Sequence, residues 1–438
     1  MNRAAFSTIA LLTLCACANA ETVAPQARVG PQPQLPPPHT SLIPTMKTPK
    51  AEGWDAGAAP KAPEGFAVVR FAEGLPHPRW LYLLDNGDVL AALSATQATP
   101  AKSIKDWVMN RIQKRVGAQA PSPNQIMLLR DADGDGVAET RTVLVSGLNQ
   151  PFGMALLNGY LYVGNTDALV RYPYALGQEA ITAAPEKVVD LPHGDGHWTR
   201  NVVVGPNDKL LVTVGSASNI ADAGMALERD RAAIWEVDPA AKTYRVYASG
   251  LRNPNGLAFE PTTKALYTVV NERDMLGDDL VPDYLTSVRD GAFYGWPWSY
   301  WGQHVDARVK PPNPTMTQKA IAPDYALGAH VAALGLTFYT ADLLPTAYRG
   351  GAFIGEHGSW NRSQYSGYKV AFVPFAAGRP SGPPQDFLTG FFKTEDRIAG
   401  RPVGVTVAKD GALLVADDVG DSVWRLTPRT PAPLPTAR

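Results

Sequence analysis

The chain is 438 residues long, and its 40 Lys and Arg residues face 41 Asp and Glu residues, so the formal net charge is −1. No long basic run is present, which leaves nucleic acid without an electrostatic reason to bind. Hydrophobic residues make up 45% and charged residues 18% of the chain, proportions typical of a protein with a folded core. The 39 glycines and 39 prolines predict frequent turns between short strands.

The N-terminus has the pattern of an export signal. Arg3 precedes an apolar stretch that is too short to span a bilayer, and small residues follow it. Residues 1–20 are therefore predicted to be a signal peptide. Cleavage after the sequence ANA at 18–20 would release the mature chain. The sequence LCAC at 14–17 resembles a lipoprotein box, whose processing would leave a membrane tether on Cys17, and both alternatives stay open.

A segment rich in Pro and Ala follows, at 21–62, and it carries no apolar periodicity. This composition predicts a tether. The folded domain is expected to occupy 63–430.

Within that domain one theme recurs six times, a turn followed by a short run of strand-forming residues. The units lie at 85–93, 157–174, 207–218, 263–274, 349–362 and 409–428. Divergent repeats at this spacing are typical of propeller blades with loop insertions. The prediction is an all-β chain, a six-bladed β-propeller whose first and last blades share strands. A β-sandwich is the alternative, but it needs no six similar units.

One segment departs from the strand pattern. Residues 102–116 place Ile104, Val108, Ile112 and Val116 at intervals of four, which predicts an amphipathic helix inserted between strands. Its basic face suits a membrane, a partner or simply solvent.

The sequence DADGDG at 131–136 spaces Asp131, Asp133 and Asp135 at every second position. Such a tight loop can direct three carboxylates at one hard cation, so a structural calcium is one prediction and a solvated acidic turn is the other.

His197 lies in a Gly-rich turn directly before a predicted strand. A neutral imidazole in such a turn can take a proton from a substrate hydroxyl near neutral pH, which makes His197 the candidate general base. A structural histidine is the alternative.

Other loops carry polar groups that suit a planar polyanion held together with Ca²⁺. The aromatic segment 291–302 could stack on a flat ring or a sugar. The candidate residues for the anion are Arg252, Asn253, Arg362 and Arg401, and those for the cation are Asn271, Glu272, Asp278 and Asp279. A loop arginine taken singly is more often part of a surface ion pair.

The sequence motifs GHWTRNVVVGPNDKL, GLRNPNGLAFEP, GAFYGWP and GRPVGVTVAKDGALLVADD, in this order, resemble the soluble quinoprotein sugar dehydrogenases, and among them the sorbosone dehydrogenase branch. The similarity extends from about residue 65 to residue 428. It implies a six-bladed propeller that binds pyrroloquinoline quinone (PQQ) and Ca²⁺. By position His197 resembles the catalytic base, Arg252 and Asn253 the pair that holds the quinone, and Arg401 an arginine that binds its carboxylates.

The match is less direct at three places. Arg362 stands near the position where some members have a lysine. The loop 271–279 takes the place of the calcium site, but NERD replaces a Gly-Pro pair and the loop is longer. Ser216 stands where the glucose-oxidising branch has an acid that orients the base.

The resemblance implies oxidation of an aldose or a sorbosone-like aldehyde, with hydride transfer to the quinone and proton transfer to His197. The chain has no C-x-x-C-H haem motif, so electrons must pass to an external quinone or cytochrome. A periplasmic location follows from the export signal. Two alternatives are a calcium-dependent lactonase or esterase on the same fold and a propeller that only binds. The clustering of acids in one loop and the recurrent arginines disfavour the lactonase.

Overall fold

The computed structural model describes residues 23–40, 45–97, 101, 104–194 and 196–429. The predicted signal peptide, 1–20, and Cys17 lie outside these described residues. Within the described ranges, neither α-helix has the length and hydrophobicity needed to cross a membrane.

Six four-stranded antiparallel sheets, numbered here in chain order, make up most of the described residues. Sheet 1 contains Pro78–Leu83, Val89–Leu93, Gln125–Arg130 and Thr140–Val145, and sheet 2 contains Met154–Leu157, Tyr160–Gly164, Ala168–Pro173 and Glu186–Asp190. Sheet 3 contains Val202–Val204, Leu210–Val214, Ala233–Asp238 and Thr243–Ser249, and sheet 4 contains Asn253–Phe259, Leu266–Asn271, Pro282–Ser287 and Tyr325–Ala329. Sheet 5 contains Ala333–Phe338, Ala352–Glu356, Lys369–Val373 and Gln385–Leu388, and sheet 6 contains Pro402–Val407, Leu413–Asp417, Ser422–Pro428 and Phe66–Glu73. The all-β prediction is confirmed.

Each of the six repeated sequence units includes the turn between the first two strands of a different sheet. The second strands are apolar along both faces because each sheet is packed between two others. Leu210–Val214, for example, is buried at all of its positions. A strand buried on both faces has a nearly continuous apolar sequence instead of alternation.

The last sheet joins the two ends of the domain, as the position of the last repeat suggested. Phe66–Glu73 pairs antiparallel with Ser422–Pro428. The apolar core of the described residues is divided into six clusters, and five of them lie between two sheets that are neighbours in chain order. The cluster that contains Leu81 and Leu414 joins sheet 6 back to sheet 1.

Two α-helices are inserted into the sheets of the described chain. Helix α1, Ile104–Arg115, lies between the second and third strands of sheet 1, and the helix predicted for 102–116 is therefore confirmed. Helix α2, Pro314–Lys319, lies within an insertion in sheet 4, where the side chain of Asn313 accepts a hydrogen bond from the backbone of Met316 at the helix N-terminus. Short 3₁₀ helices occur at Pro25–Arg28, Pro206–Asp208, Met225–Glu228 and Thr346–Tyr348. Two-residue and three-residue strands occur at Lys50–Ala51, Ser299–Tyr300, His304–Val305, Phe375–Ala376, Arg379–Pro380, Phe392–Thr394 and Arg397–Ile398.

The segment predicted as a tether, 21–62, contacts the folded domain at several of its described residues. Lys50–Ala51 pairs in parallel with Arg397–Ile398. Trp54 packs edge-on against Trp424, with 5.2 Å between ring centroids, and its indole N–H donates to Asp417. The sequence does not predict this association, because a few aromatic and backbone contacts hold the segment and such contacts leave no periodic apolar pattern.

Candidate active site

One edge of the sheets, where the first strands begin and the second strands end, gathers polar and charged side chains from several sheets. A cavity of about 270 Å³ opens there. It is lined by Gln113, His197, Arg252, Asn253, Asn271, Glu272, Asp274, Asp283, His330, Ala332, Gly358 and Trp360. The structure therefore brings His197, Arg252, Asn253, Asn271 and Glu272 together, although sequence separates them by up to 75 residues.

His197 is held in one orientation by Ser216. Its Nδ1 lies 3.0 Å from the backbone oxygen of Ser216 and 3.1 Å from the hydroxyl oxygen of the same residue. A carbonyl oxygen only accepts hydrogen bonds, and the Ser216 hydroxyl donates its own hydrogen to Ser218 at 2.7 Å. Nδ1 must therefore carry the proton, which leaves the Nε2 lone pair free to accept one.

The surroundings also keep this imidazole uncharged. Burial, followed by the positive charge of Arg252, lowers the pKa of His197 to about 3. The close approach of Asn253 depends on Gly215, where a Cβ atom would lie 2.6 Å from the Cβ of His197 and 2.4 Å from the Asn253 side-chain oxygen. A neutral, oriented histidine at the cavity wall has the properties of a general base.

Arg252 connects the loops on either side of the cavity. Its guanidinium donates to the backbone oxygen of Glu272 at 2.7 Å, to the side-chain oxygen of Asn219 at 2.9 Å and to Asp274 at 3.2 Å. His330 completes the network, because its Nδ1 lies 3.3 Å from Asp274 and its Nε2 lies 3.0 Å from the backbone oxygen of Gly277.

Both ring nitrogens of His330 thus face acceptors, which suits the doubly protonated form. Burial favours the neutral ring, but the hydrogen bond and charge of Asp274 outweigh it and raise the pKa of His330. Burial likewise opposes ionisation of Asp274, whereas His330 and Arg252 lower its pKa overall.

Some oxygens at the cavity wall have no hydrogen-bond partner. The side-chain oxygen of Asn253 and Oε1 of Glu272 are both buried and unpartnered. The neighbouring carboxyl of Asp283 accepts from the backbone N–H groups of Glu272 at 2.8 Å and Ala332 at 2.7 Å, yet burial raises the pKa of Asp283 to about 7. Buried oxygens without a donor are normally rare, and they mark places where a ligand can bind.

A second buried cluster adjoins the cavity. The guanidinium of Arg79 and Nε2 of His357 both contact the same oxygen of Asp418, the latter at 2.8 Å. Arg401 donates through Nε to the backbone oxygen of His357 at 2.9 Å and lies beside Gly358, which lines the cavity. Burial, followed by the charge of Arg401, lowers the pKa of His357 to about 3, so that histidine is neutral. Arg79 pairs with Asp418, whereas Arg401 forms no ion pair within the described part of the chain, so the cluster offers one guanidinium that no carboxylate contacts.

The remaining candidate residues lie elsewhere. Arg362 donates to Asp279 at 2.7 Å, Asp279 also pairs with Arg28, and Asp278 accepts from the backbone of Ser363 at 3.0 Å. None of Arg362, Asp278 and Asp279 is among the residues that line the cavity. Asn271 is at the wall, but its amide donates to the backbone of Ala333 and so braces sheet 5 against sheet 4.

The aromatic segment 291–302, proposed from the sequence as a stacking surface, contributes none of the residues that line the cavity. Tyr294, Tyr300 and Trp301 belong to a buried core cluster, and the buried Trp296 donates its indole N–H to the backbone of Asn219 at 3.0 Å. The segment folds back onto sheet 4, so its rings pack in the core, and Trp296 holds Asn219, which in turn accepts from Arg252. The aromatic side chain at the cavity is Trp360.

Asp131, Asp133 and Asp135 lie at the opposite edge of the sheets. Each of these three residues and Glu139 offers one carboxylate oxygen, and these four oxygens all lie within 4.8 Å of one another. Backbone N–H groups of the loop donate to these carboxylates, for example Gly134 and Gly136 to Asp131 at 2.8 and 2.9 Å. This arrangement is compatible with both a calcium loop and a solvated acidic turn.

Sequence reasoning missed Arg79, His330 and Asp418. An available signal was the position of the arginines, because Arg79, Arg252 and Arg401 each stand within one residue of the start of a first strand. For His330 and Asp418 the sequence offered no local signal, since their partners lie 56 and 61 residues away.

The sequence profile of the TrAA12-like family matches residues 122–282 and 304–429, and the chain belongs to this family. A protein of Borreliella burgdorferi strain B31, described as uncharacterized, is 30% identical over 294 residues, which cover 64% of this chain and 76% of that protein. The resemblance to quinoprotein sugar dehydrogenases drawn from the sequence motifs is confirmed.

Two solved structures share the fold. The first is a Trichoderma reesei carbohydrate-active enzyme of family AA12, with a TM-score of 0.68 and 19% identity, covering 88% of this chain and 100% of that one. The second is the PQQ domain of a pyranose dehydrogenase from Coprinopsis cinerea in its holo form, with a TM-score of 0.68 and 19% identity, covering 87% of this chain and 100% of that one.

Proposed function

We propose that this protein is a PQQ- and calcium-dependent sugar dehydrogenase built on a six-bladed β-propeller, in which His197 is the general base. The observation that carries the proposal is the pairing of an oriented, neutral His197 with an adjacent cluster of surplus positive charge. Family membership supports the same reaction class.

The proposed propeller follows from the sheet order and the core. Each of the six sheets serves as one blade, and the strand pairing between Phe66–Glu73 and Ser422–Pro428 closes the ring. In a closed ring the first strands surround a central axis, which explains why loops from sheets far apart in sequence meet at one cavity.

The residues at the cavity fit a flat polyanion and a hard cation. Arg79 and Arg401 supply positive charge that Asp418 only half neutralises, and carboxylates bind such guanidiniums through charge-assisted hydrogen bonds. The unpartnered oxygens of Asn253 and Glu272 are the donor type that Ca²⁺ prefers. Arg79, Arg252, Asn253 and Arg401 would hold the quinone and Glu272 the cation. Asp278, Asp279 and Arg362 are weaker candidates because they do not line the cavity, and Asn271 is weaker because its amide donates to the backbone of Ala333.

When bound, the quinone would supply the two-electron acceptor and Ca²⁺ would polarise it. The chain's own residues handle the proton. Nε2 of His197 takes it from the sugar hydroxyl while the Ser216 carbonyl holds the Nδ1–H and stabilises the charged ring that results. The neutral resting state makes Nε2 available over the whole physiological range of pH. A bound polyanion would offset the charge of Arg252, the second cause of the low pKa of His197 after burial, and so raise that pKa.

The sugar is expected to be an aldose or a sorbosone-like aldehyde, and the electron acceptor an external quinone or cytochrome. We propose export to the periplasm, either free or tethered through Cys17.

The direct test is reconstitution of the cofactor-free protein. Dye reduction should be measured over a panel of aldoses and sorbosone with quinone alone, Ca²⁺ alone and both together. Activity is expected only with both present, and NAD-dependent turnover or lactone hydrolysis by the apoprotein would contradict the proposal. The variant Asp133→Asn distinguishes a Ca²⁺ bound at the cavity from one bound at the loop 131–136. If the Ca²⁺ needed for turnover binds at the cavity, this variant should require the same Ca²⁺ concentration for activity as the unmodified enzyme.

A further inference from the structure

Helix α1 presents one outward stripe of aromatic and basic side chains. Trp107, Val108, Arg111, Lys114 and Arg115 are exposed, with 56% of Trp107 and 37% of Val108 accessible to solvent. Residues three and four positions apart share a helix face, which places Arg111 between Trp107 and the two cations that follow. The guanidinium of Arg111 lies 5.6 Å from the centroid of the Trp107 ring.

The opposite face of the same helix contacts the candidate active site. Ile112 is partly buried, Val116 just beyond the helix is buried, and Gln113 lines the cavity that contains His197. A helix with its side chains is about 10–12 Å across, so a molecule docked on the stripe would lie about one helix diameter from the cavity wall.

The cations of the stripe have no acidic partner in the part of the chain that the structure describes. Among the described residues, Arg111, Lys114 and Arg115 form no ion pair, whereas exposed cations elsewhere, such as Arg245 and Lys393, do. The chain as a whole has a formal net charge of only −1, so this helix forms a local positive patch beside the cavity.

We propose that this stripe is the docking surface for an acidic one-electron carrier protein that removes electrons from the enzyme. The inference rests on the proposed function. Each sugar oxidised loses two electrons and two protons, so two carriers are reduced by one electron each and two protons are released. The carrier must approach near the cavity, and a positive patch attracts a negatively charged partner and speeds its association.

A protein fits the stripe better than a membrane surface does. A helix that lies in a membrane turns a broad apolar face to the lipid and its basic residues away from it. In α1 the apolar Ile112 and Val116 face the protein, and the exposed Trp107 stands among the cations. Adjacent Trp and Arg side chains are instead typical of the residues that dominate protein–protein binding.

The experiment compares reduction of an acidic and a basic c-type cytochrome by the quinone-loaded and calcium-loaded enzyme. The variants are Arg111→Glu/Lys114→Glu and Trp107→Ala. The matched control is Lys264→Glu/Lys409→Glu, which makes the same charge change at exposed turns on the edge opposite the cavity. Phenazine methosulfate, a small mediator, reports sugar oxidation independently of docking. Titration of each apoprotein with the acidic cytochrome measures binding without catalysis.

We expect Arg111→Glu/Lys114→Glu to slow reduction of the acidic cytochrome roughly 10- to 100-fold at low ionic strength and to weaken its binding in parallel. The difference should shrink at about 0.5 M salt, where exposed charges are screened. Trp107→Ala should weaken binding at both salt concentrations, and the control should match the unmodified enzyme.

Equal rates in Arg111→Glu/Lys114→Glu and the unmodified enzyme would overturn the proposal, as would an equal loss in the control. So would preferential binding of the stripe to phosphatidylglycerol vesicles without binding to the acidic cytochrome. If the mediator is not reduced at all, the proposed function fails, and the apoprotein titration still decides whether the stripe binds an acidic protein.

Discussion

At the scale of single residues, the imidazole of His197, the proposed general base, is oriented by the backbone carbonyl of Ser216. Replacing His197 with Ala should lower turnover by roughly 10² to 10⁴ while quinone binding is nearly unchanged, because only proton transfer is lost. The measurement is turnover at saturating sugar beside a quinone titration. Turnover within a few-fold of the unmodified enzyme would make His197 a structural histidine.

Ser216→Ala provides the matched comparison. Its hydroxyl is the weaker of two contacts to Nδ1, at 3.1 Å against 3.0 Å for the carbonyl, and the substitution keeps the carbonyl. We expect only a few-fold loss of turnover. A loss as large as that of His197→Ala would mean that the hydroxyl, and not the carbonyl, selects the tautomer.

Arg401 should act on cofactor affinity instead. Loss of one charge-assisted contact predicts a roughly 10- to 100-fold higher quinone Kd for Arg401→Ala, and saturating quinone should restore much of the turnover. Arg401→Lys keeps the positive charge but loses the planar guanidinium, whose paired N–H groups can bind both oxygens of a carboxylate. Calorimetric titration should therefore give an intermediate Kd. A normal Kd in Arg401→Ala would place the cofactor carboxylates elsewhere.

At the scale of elements, the segment 45–62 pairs with Arg397–Ile398 in a small separate sheet and packs against sheet 6 through Trp54. Trp54→Ala should lower the free energy of unfolding by about 2–4 kcal/mol, since it removes ring contacts with Trp424 and Phe391 and the indole donor to Asp417. Urea unfolding measures it, and Trp107→Ala on α1 is the control because Trp107 is exposed. Equal effects of the two substitutions would show that the segment is only loosely associated.

The elements also show what the sequence could and could not predict. The six turns and their strands could be predicted because strand patterns and turn residues depend only on residues that are close in sequence. Arg252 and Arg401 could be predicted because each directly precedes a first strand, and His197 because it lies in a Gly-rich turn shortly before one. Whether the ring of Trp296 meets a ligand or the core depends on how an insertion folds back on sheet 4, and no local pattern encodes that. The partners of His330 and Asp418 could not be predicted for the same reason. Strand pairing within sheet 4 brings Asp274 near His330, and packing of sheet 6 against sheet 1 brings Asp418 near Arg79.

At the scale of the whole molecule, stability depends on buried groups whose pKa shifts oppose one another. His197 and His357 have pKa values lowered to about 3, so the unfolded chain binds more protons there and stability falls as pH drops from about 6.5 toward 3. Burial raises the pKa of Asp283 to about 7, of Glu356 to about 8 and of Asp417 to about 6, so the folded chain binds more protons at these carboxyls. In mildly acidic solution the effect of these histidines on the pH dependence of stability and the opposite effect of these carboxyls largely cancel.

Above neutral pH only the carboxyls of these two sets still change the free energy of unfolding with pH. Glu356 contributes most to that change because its pKa is the highest of the three. The nearest cation, Lys369, lies 4.0 Å away and is closer to Asp386, so its attraction does not overcome the burial of Glu356. A carboxyl with a raised folded pKa stabilises the fold below its unfolded pKa of 4.5 and loses that contribution as pH rises through about 8.

Glu356→Gln imitates the protonated carboxyl at every pH. The variant should therefore match the unmodified protein near pH 5 and exceed its free energy of unfolding near pH 9 by on the order of 1 to 3 kcal/mol. Urea unfolding at both pH values makes the comparison, with Glu64→Gln as the matched control because Glu64 is exposed and the same substitution there should not produce this pH-dependent gain. An advantage of Glu356→Gln that is the same at both pH values would reflect packing instead, and a disadvantage near pH 9 would mean that Glu356 is ionised and paired with Lys369.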